Sequence, residues 1–216
     1  MGYGFSIEVW GDYALFSRPE LRVERYSYEV MTPSAARGIL EAIFWKPAIR
    51  YVIDSIVVIN EIQTVNVRRN EVKSKISARN VAAVINGAKN RLYIATSSDI
   101  AQRASNILKD VRYVINAHFE LTEDAGESDT KEKFYNMILR RLEKGQCFYN
   151  PYFGTKEFPA NFKLYEKDKQ SFYIGTDKDF GLMLYDMDYG DEILPCYFRA
   201  AMKDGVINVS GSEVFR

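Results

Sequence analysis

The chain has 216 residues, of which 47% are apolar and 14% aromatic, so its composition excludes a disordered protein and supplies enough residues for a sizeable core. Its 29 basic and 29 acidic residues cancel, and the overall charge alone does not favour a nucleic-acid binder. The sequence contains no run of about eighteen apolar residues and no N-terminal signal pattern, so we expect a cytoplasmic protein without a membrane partner. Cys147 and Cys196 lie far apart in a chain with one histidine, and we expect no metal and no other cofactor.

The first elements predicted are a strand and a helix. Apolar and polar residues alternate between Phe5 and Trp10, as in a half-buried strand. Thr32 can cap a helix that carries Pro33 in its first turn, and Pro47 ends it. The apolar residues at helical spacing are Ala36, Ile39, Leu40 and Ile43. This stripe predicts that the helix packs on a sheet.

Three further segments follow in the middle of the chain. Residues 51–59 are rich in β-branched side chains and predict a central strand. Residues 62–95 are polar and basic, and we expect a long loop or hairpin insertion that projects from the sheet. Residues 99–109 place apolar side chains at helical spacing behind Ser97 and Ser98, which predicts a short helix.

The strand predicted at residues 111–121 has the clearest alternation in the chain. Its apolar residues fall on one face. The other, more polar face carries Arg112, Asn116 and His118, the only histidine. If the helices cover the apolar face, His118 lies on the uncovered side of the sheet.

The remaining pattern predicts the fold class. Residues 129–144 predict a second amphipathic helix and residues 161–165 another strand. The resulting order is the split βαβ pattern of ferredoxin-like (RRM-related) domains. We therefore predict an α+β fold, in which residues 1–167 form a ferredoxin-like domain with an antiparallel sheet and the basic insertion at about 62–95. Residues 168–216 contain short strand patterns and predict a small C-terminal antiparallel β extension.

Basic residues are concentrated in the predicted insertion. Between Arg68 and Arg91, seven basic residues accompany the single acid Glu71. Such a concentration favours contact with a phosphate backbone, and a solvated loop is the alternative. The RNA-binding residues predicted in this segment are Arg68, Arg69, Lys73, Lys75 and Arg79.

His118 is the first candidate for chemistry, because an unperturbed histidine titrates near neutral pH. It can remove a proton from a ribose 2′-hydroxyl or give one to a leaving 5′-oxygen. The alternative is a structural histidine bonded to Glu120 or to another neighbour. We expect the basic insertion to lie within reach of this ring, so that the two features form one RNA site.

Three basic residues outside the insertion are further candidates. Lys46, at the end of the first helix, can supply a cation near the cleaved phosphate or extend along apolar surface. Arg37 can contact RNA or pair with Glu41. Arg112 shares the polar face with the histidine and is also a predicted RNA-binding residue.

Two other segments have a functional and a structural explanation each. Tyr149, Tyr152 and Phe153, around Gly154, can stack on bases or seal the second helix. Residues 186–192 carry carboxylates at a spacing of two but lack the pattern of a calcium loop, so we predict a charged turn or a partner surface.

Five short segments, in chain order, carry a resemblance to a known family. They are Gly11-Asp12-Tyr13-Ala14-Leu15-Phe16, Thr32-Pro33-Ser34-Ala35-Ala36-Arg37-Gly38, Ile43-Phe44-Trp45-Lys46-Pro47, Arg68-Arg69-Asn70-Glu71-Val72 and Ala117-His118-Phe119-Glu120. As a set they resemble the Cas5 proteins of subtype I-C CRISPR systems, the Dvulg type or Cas5d.

The resemblance implies a ferredoxin-like domain with a C-terminal β extension and metal-independent cleavage of CRISPR repeat RNA at the base of its hairpin. It also implies that the protein keeps the 5′ handle of the crRNA together with Cas7- and Cas8-like subunits, and we expect a monomer when it is isolated. The catalytic set implied is a tyrosine, a lysine and a histidine. His118 matches, Phe44 stands at the tyrosine position, and Asn116 with Ala117 stands where the lysine is expected.

We therefore predict a metal-independent endoribonuclease that processes CRISPR precursor RNA by 2′-hydroxyl attack and stays on the guide 5′ handle in the type I-C surveillance complex. The catalytic positions predicted are His118, Lys46, Phe44 and Asn116. The alternatives are a non-catalytic crRNA-binding subunit of that complex and an RRM-like domain in an unrelated assembly.

Overall fold

The computed structural model describes residues 3–21, 24–89, 91–190 and 192–216. These residues contain three helices and ten strands. The helices are α1 (Pro33–Ile43), α2 (Ala78–Ile85) and α3 (Lys131–Lys144). The strands are β1 (Phe5–Ala14), β2 (Arg25–Tyr26), β3 (Ile49–Val58), β4 (Gln63–Val72), β5 (Ile100–Leu121), β6 (Asn161–Leu164), β7 (Asp177–Tyr189), β8 (Ile193–Lys203), β9 (Val206–Asn208) and β10 (Val214–Phe215). Among the described residues, no helix is both long enough and apolar enough to cross a membrane.

Strand β5 is the centre of the sheet. Its C-terminal half lies between β1 and β3 and is antiparallel to both. Its N-terminal half pairs antiparallel with β4 and, over two residues, parallel with β2. The strand order is β10-β8-β9-β3-β5-β1-β6, with β7 joined to β8. The structure is therefore a mostly antiparallel sheet with helices, which is the predicted α+β class.

The prediction of a helix at residues 99–109 is wrong, because Ile100–Lys109 form the N-terminal half of β5. Ile100–Lys109 pair residue by residue with Val72–Gln63 of β4. The partner strand satisfies the backbone hydrogen bonds of the extended chain, and this pairing overrides a short helical periodicity. We call β4, this half of β5 and the residues between them the basic arm. Its tip comprises residues 73–89 and 91–99, none of which is buried.

Helix α1 begins where its sequence predicts and ends at Ile43, three residues before Lys46, where Pro47 predicts its end. Thr32 Oγ1 accepts a hydrogen bond from the backbone N–H of Ala35 at 3.2 Å, and Pro33 occupies the first turn. Phe44 follows the helix with an extended backbone. All four residues of the predicted stripe are buried: Ala36, Ile39, Leu40 and Ile43.

The second predicted helix is α3. Thr130 caps its N-terminus, and Gly145 ends it with φ 60°, a left-handed conformation that glycine adopts at little cost. Helices α1 and α3 contact each other and pack on β3 and β6 respectively. The core that they share with the sheet includes Ile7 of β1 and Ile115 and Phe119 of β5.

The opposite face of the central strands carries the polar side chains, because residues in a strand alternate between the two faces. We call this surface the open face. It is formed by Ser6, Glu8 and Trp10 of β1, Asp54 and Ser55 of β3, and Arg112, Asn116 and His118 of β5.

The C-terminal strands continue the main sheet. Strand β9 pairs with β3 at Ser55–Val57 and with β8. Strand β7 pairs with β8 and contacts α1, and Met183 and Phe198 are buried in the same hydrophobic cluster as the rest of the core. The segment predicted as an extension is thus joined to β3 edge to edge.

Candidate functional site

His118 lies on the open face, where the alternation of β5 predicts it. It faces Val52 across the β5–β3 pair, and its neighbours in the strand, Ala117 and Phe119, are buried in the core. About a third of the His118 side chain, 34%, is exposed, so the ring is accessible to a ligand on this face.

The His118 ring has a carboxylate partner. Its Nδ1 lies 2.9 Å from Oδ1 and 3.0 Å from Oδ2 of Asp54, whose side chain is 36% exposed. The hydrogen-bonded neighbour is therefore not Glu120, which accepts instead from Arg50 at 2.7 Å. A histidine whose Nδ1 is bonded to a carboxylate has Nε2 left for proton transfer.

Asp54 is the partner of His118 that the sequence analysis missed. It lies in a β-bulge, since Ile53 faces Ala117 and Ser55 faces Asn116 with Asp54 between them unmatched. The signal available in the sequence was a charged residue followed by serine inside the β-branched run at residues 51–59. That run predicted a strand but not the bulge.

Asn116 is held on both sides within the open face. Ser6 Oγ donates to Asn116 Oδ1 at 2.6 Å, and Asn116 Nδ2 donates to Ser55 Oγ at 2.9 Å. The amide therefore links β1, β5 and β3 rather than supplying a cation beside His118. Ala117 is 1% exposed and points into the core.

Arg112 forms an ion pair on the open face. It donates to Glu8, a carboxylate with 0% side-chain exposure, and its guanidinium lies 5.1 Å from the centre of the Trp10 ring. Lys163 Nζ approaches the same carboxylate at 3.4 Å. A buried carboxylate requires such cations, so Arg112 has a structural task in addition to any contact with RNA.

Phe44 does not lie near His118. It is 2% exposed, and its ring contacts Phe134 and Arg141 on the helix side of the sheet. The Phe44 carbonyl oxygen accepts a hydrogen bond from the hydroxyl of Tyr51 at 2.7 Å. Burial raises the pKa of Tyr51 far above its ordinary value, so it remains a neutral donor inside the core.

Lys46 and Arg37 occupy other surfaces. Lys46 is exposed after α1. The hydrogen bond from Lys133 is the main cause that lowers the pKa of Asp129, and the charge of Lys46 adds a small effect in the same direction. Arg37 pairs with Glu41 at 3.4 Å and with Asp186 at 2.7 Å. The ion-pair alternative for Arg37 is thus the one that the contacts match.

The expected joint site of His118 and the basic insertion is wrong. Arg68 faces Ala104 on β5, and fourteen residues separate Ala104 from His118. At about 3.3 Å per residue this is roughly 45 Å of strand. Lys73, Lys75 and Arg79 lie on the tip, beyond the last pair of the β4–β5 ladder, Val72 and Ile100. The basic arm and the open face are two separate surfaces.

The arm contains two kinds of basic residue. Arg69 pairs with Glu157 and lies 5.7 Å from the centre of the Phe158 ring, which attaches β4 of the arm to the loop after α3. Arg68, Lys73, Lys75 and Arg79 are exposed and have no ion-pair partner among the described residues. The exposed residues keep their charge available for a ligand.

The aromatic loop has a buried part and a part that is open to solvent. Phe153 is fully buried against Phe16 and Tyr113. Gly154 has φ 78°, and a Cβ there would lie 1.9 Å from the Leu15 carbonyl oxygen. Tyr149 is exposed and Tyr152 is half-buried, and both line a cleft of about 540 Å³.

The acidic segment is the end of β7 and the turn that follows, and Asp191 within it lies outside the described residues. Asp186 pairs with Arg37, and Asp188 with Arg216 at 3.0 Å. In the part of the chain that the structure describes, His, Cys, Asp and Glu side chains form no group of three or more suited to a metal ion.

Comparison of the whole sequence with known proteins supports the family resemblance of the five segments. The family model described as "CRISPR-associated protein (Cas_Cas5)", of the Cas5d type, matches residues 5–210. The chain is 47% identical over 213 residues to CRISPR pre-crRNA endoribonuclease Cas5d of Mannheimia succiniciproducens, covering 94% of this chain and 93% of that protein. It is 37% identical over 226 residues to the protein of the same name from Thermus thermophilus, covering 96% and 91%.

A solved crystal structure of a CRISPR-associated protein has the same fold, with a TM-score of 0.73 at 24% identity over 99% of this chain and 96% of that chain. The family model and both named relatives extend over nearly all of the sequence. The chain therefore belongs to the Cas5d family of CRISPR-associated Cas5 proteins.

Proposed function

We propose that this protein is an endoribonuclease that cuts CRISPR precursor RNA within the repeat and retains the 5′ handle of the product. The relatives at 47% and 37% identity are named CRISPR pre-crRNA endoribonuclease Cas5d. The observation that carries the proposal for this chain is the His118–Asp54 pair on the open face, with the ring partly exposed.

The reaction proposed is attack by a ribose 2′-hydroxyl on the adjacent phosphodiester. The 2′-oxygen bonds to phosphorus while its proton passes to Nε2 of His118, the bond from phosphorus to the 5′-oxygen breaks, and that oxygen takes a proton from water. The products are a 2′,3′-cyclic phosphate and a 5′-hydroxyl. Such a reaction needs proton transfers and a cation for the developing phosphorane charge, and the proton transfers contribute typically 10²- to 10⁴-fold.

The open face supplies one clear proton-transfer group. Phe44 has no acidic proton and is buried, and Ala117 brings no cation. The chain contains a single histidine, so a second imidazole does not act as the acid. We infer slow, single-turnover cleavage, which suffices for an enzyme that keeps its product.

The exposed cations of the basic arm are proposed to hold a different part of the RNA from the scissile phosphate. The two surfaces are separated by roughly 45 Å of strand, so an RNA that contacts both must extend along the sheet. We propose Cas7- and Cas8-like proteins as partners in the surveillance complex and a cytoplasmic monomer when the protein is isolated.

The fold assignment proposed is a ferredoxin-like (RRM-related) domain at residues 1–167, with the arm inserted at about 62–95 and a β extension at 168–216. In support, β1, α1, β3, β5, α3 and β6 follow each other in the split βαβ order, apart from the short β2 and the arm. The strands β3, β5, β1 and β6 are also neighbours in the sheet and antiparallel.

The test is incubation of the purified protein with its repeat RNA in EDTA. We expect cleavage, and we expect the His118→Ala protein to lose it by about a hundredfold or more while its Kd for the RNA changes by less than about twofold. Repeat RNA with a 2′-deoxy nucleotide at the cut site is the matched substrate control and is expected to stay intact.

A second candidate function is a non-catalytic subunit that binds the 5′ handle, and the absence of a tyrosine at Phe44 and a lysine at Ala117 favours it. Tight binding of wild-type protein to repeat RNA that remains intact would establish this candidate and refute the nuclease. Equal cleavage by the wild-type and His118→Ala proteins would show that another group carries the chemistry.

A further inference from the structure

We propose that Asp54 is a positioning residue for RNA cleavage: its carboxylate holds the His118 ring in the tautomer with hydrogen on Nδ1 and thereby presents the lone pair of Nε2 to the 2′-hydroxyl. The inference rests on the proposed function, since it assigns how the histidine of that reaction is prepared. Asp54 lies outside the five segments that resemble the family.

The contact has the geometry of a directed hydrogen bond. Nδ1 of His118 lies 2.9 Å and 3.0 Å from the two carboxylate oxygens of Asp54. An ionised carboxylate can only accept hydrogen bonds, so the ring nitrogen between its oxygens must carry the hydrogen. In a neutral imidazole the other nitrogen, Nε2, is then the acceptor and the site that takes a proton.

The backbone holds Asp54 in place independently of its carboxylate. The Asp54 carbonyl oxygen accepts hydrogen bonds from the backbone N–H groups of Val209 and Ser210, at 2.9 Å and 3.0 Å. These residues follow β9, which pairs with β3 just beyond the bulge. Since backbone atoms make these bonds, a substitution of the Asp54 side chain leaves the bulge in place.

The bulge explains why the carboxylate reaches the ring. Ile53 and Ser55 occupy consecutive register positions opposite Ala117 and Asn116, and Asp54 is the extra residue between them. Its side chain and that of Ser55 both engage open-face partners, His118 and Asn116 respectively. The irregularity thus places two polar groups side by side where a regular strand would present one.

The same carboxylate also has a role after the His118 ring has taken the proton. When the 2′-hydroxyl proton moves to Nε2, the ring becomes a cation that donates from Nδ1 to Asp54. The carboxylate stabilises this cation and does not itself take the proton. The ring later returns the proton to the hydroxide left when water protonates the 5′-oxygen.

The first measurement is the ¹⁵N NMR spectrum of protein labelled at histidine, taken where the ring signals show a neutral imidazole. The chain has one histidine, so one ring is observed. We expect the hydrogen on Nδ1 in the wild-type protein. In Asp54→Asn the amide is both a donor and an acceptor, and we expect the preference for this tautomer to be lost.

The second measurement is the single-turnover cleavage rate at saturating repeat RNA. We expect Asp54→Asn to slow cleavage by about 10-fold or more with Kd for the RNA within about twofold, because the histidine that takes the proton loses the carboxylate that orients it. Asp54→Glu keeps a carboxylate and is expected to restore the tautomer and part of the rate.

The matched control is Glu120→Gln. Glu120 is a carboxylate two residues from His118 on β5, its charge acts on the same region, and it bonds Arg50 instead of the ring. We expect its tautomer and cleavage rate to match the wild type within about twofold. If Glu120→Gln slows cleavage as much as Asp54→Asn, general loss of negative charge is responsible and the positioning role is refuted.

Two further results would overturn the inference. One is a wild-type ring with its hydrogen on Nε2, and the other is an Asp54→Asn protein with unchanged tautomer and rate. If the wild-type protein does not cut RNA, the proposed function fails. The spectra of the wild-type and Asp54→Asn proteins still decide whether Asp54 sets the tautomer, so the two failures are distinguishable.

Discussion

The open face and the tip of the basic arm both carry polar side chains, but they hold them in opposite ways. On the open face each candidate side chain has a partner, as in the links Ser6–Asn116–Ser55 and Asp54–His118. On the tip, Lys73 and Lys75 stand in solvent, and helix α2 has no buried residue.

The difference matches the two tasks proposed for this chain, proton transfer during RNA cleavage and binding of the RNA backbone. Proton transfer requires groups held in fixed geometry, and hydrogen bonds between neighbouring strands provide it. Binding of a phosphate backbone requires charge within reach and tolerates movement of the groups that carry it. We therefore expect changes on the open face to affect stability and reaction rate, and changes on the tip to affect RNA affinity.

The largest effect on stability is expected for Arg112→Met. The substitution leaves the buried Glu8 carboxylate with Lys163 as its remaining ion-pair partner, at 3.4 Å. Removal of one partner from a buried pair costs about 3 kcal/mol or more in the free energy of unfolding, measurable by urea denaturation. The control is Arg50→Met, whose pair with Glu120 is 68% and 48% exposed and whose loss is expected to leave the free energy of unfolding nearly unchanged, because water screens an exposed ion pair. Equal losses would contradict the buried character of the Glu8 pair.

The next effect concerns RNA affinity. We expect Lys73→Ala with Lys75→Ala to weaken repeat RNA binding by about tenfold at low salt and to reduce the slope of log Kd against log salt by about 2. The cleavage rate of the bound RNA should stay within about twofold, since the tip is remote from His118. The control carries Lys144→Ala with Lys203→Ala, two exposed lysines on α3 and β8. An unchanged slope of log Kd against log salt in the tip variant would show that Lys73 and Lys75 do not contact the RNA backbone.

The smallest effect on stability is expected when the N-cap side chains of two helices, which make the same kind of hydrogen bond, are removed. Thr32 accepts from the N–H of Ala35 at 3.2 Å at the start of α1, and Ser77 accepts from Asn80 at 3.3 Å at the start of α2. Thr32→Ala is expected to cost about 1 kcal/mol in the free energy of unfolding. Ser77→Ala should leave that value unchanged and speed amide hydrogen exchange within α2 alone, because α2 does not pack on the core. A matching loss in both variants would show that the tip folds together with the sheet.

Much of the fold follows from local sequence. The caps, the apolar stripe and Pro47 define α1 within one segment, and the alternation of residues 111–121 is enough to place His118 on the face opposite Phe119. Such signals depend on neighbours a few residues away, so they can be read without knowledge of pairing.

The features that sequence analysis missed all depend on distant partners. The strand at Ile100–Lys109 exists because β4 lies beside it, and its own periodicity favours a helix. The Asp54 bulge depends on Val209 and Ser210, more than 150 residues later in the chain. The distance between the basic arm and His118 follows from the continuity of β5, which the predicted helix had interrupted.

The hydrogen bonds from Val209 and Ser210 to the Asp54 carbonyl also bear on how the protein is made. A ribosome releases β3 and β5 well before these two residues, so a nascent chain can present the imidazole long before the bulge beside it is secured. Activity should therefore appear only after Val209 and Ser210 have left the exit tunnel, and thus later than the basic arm emerges from it.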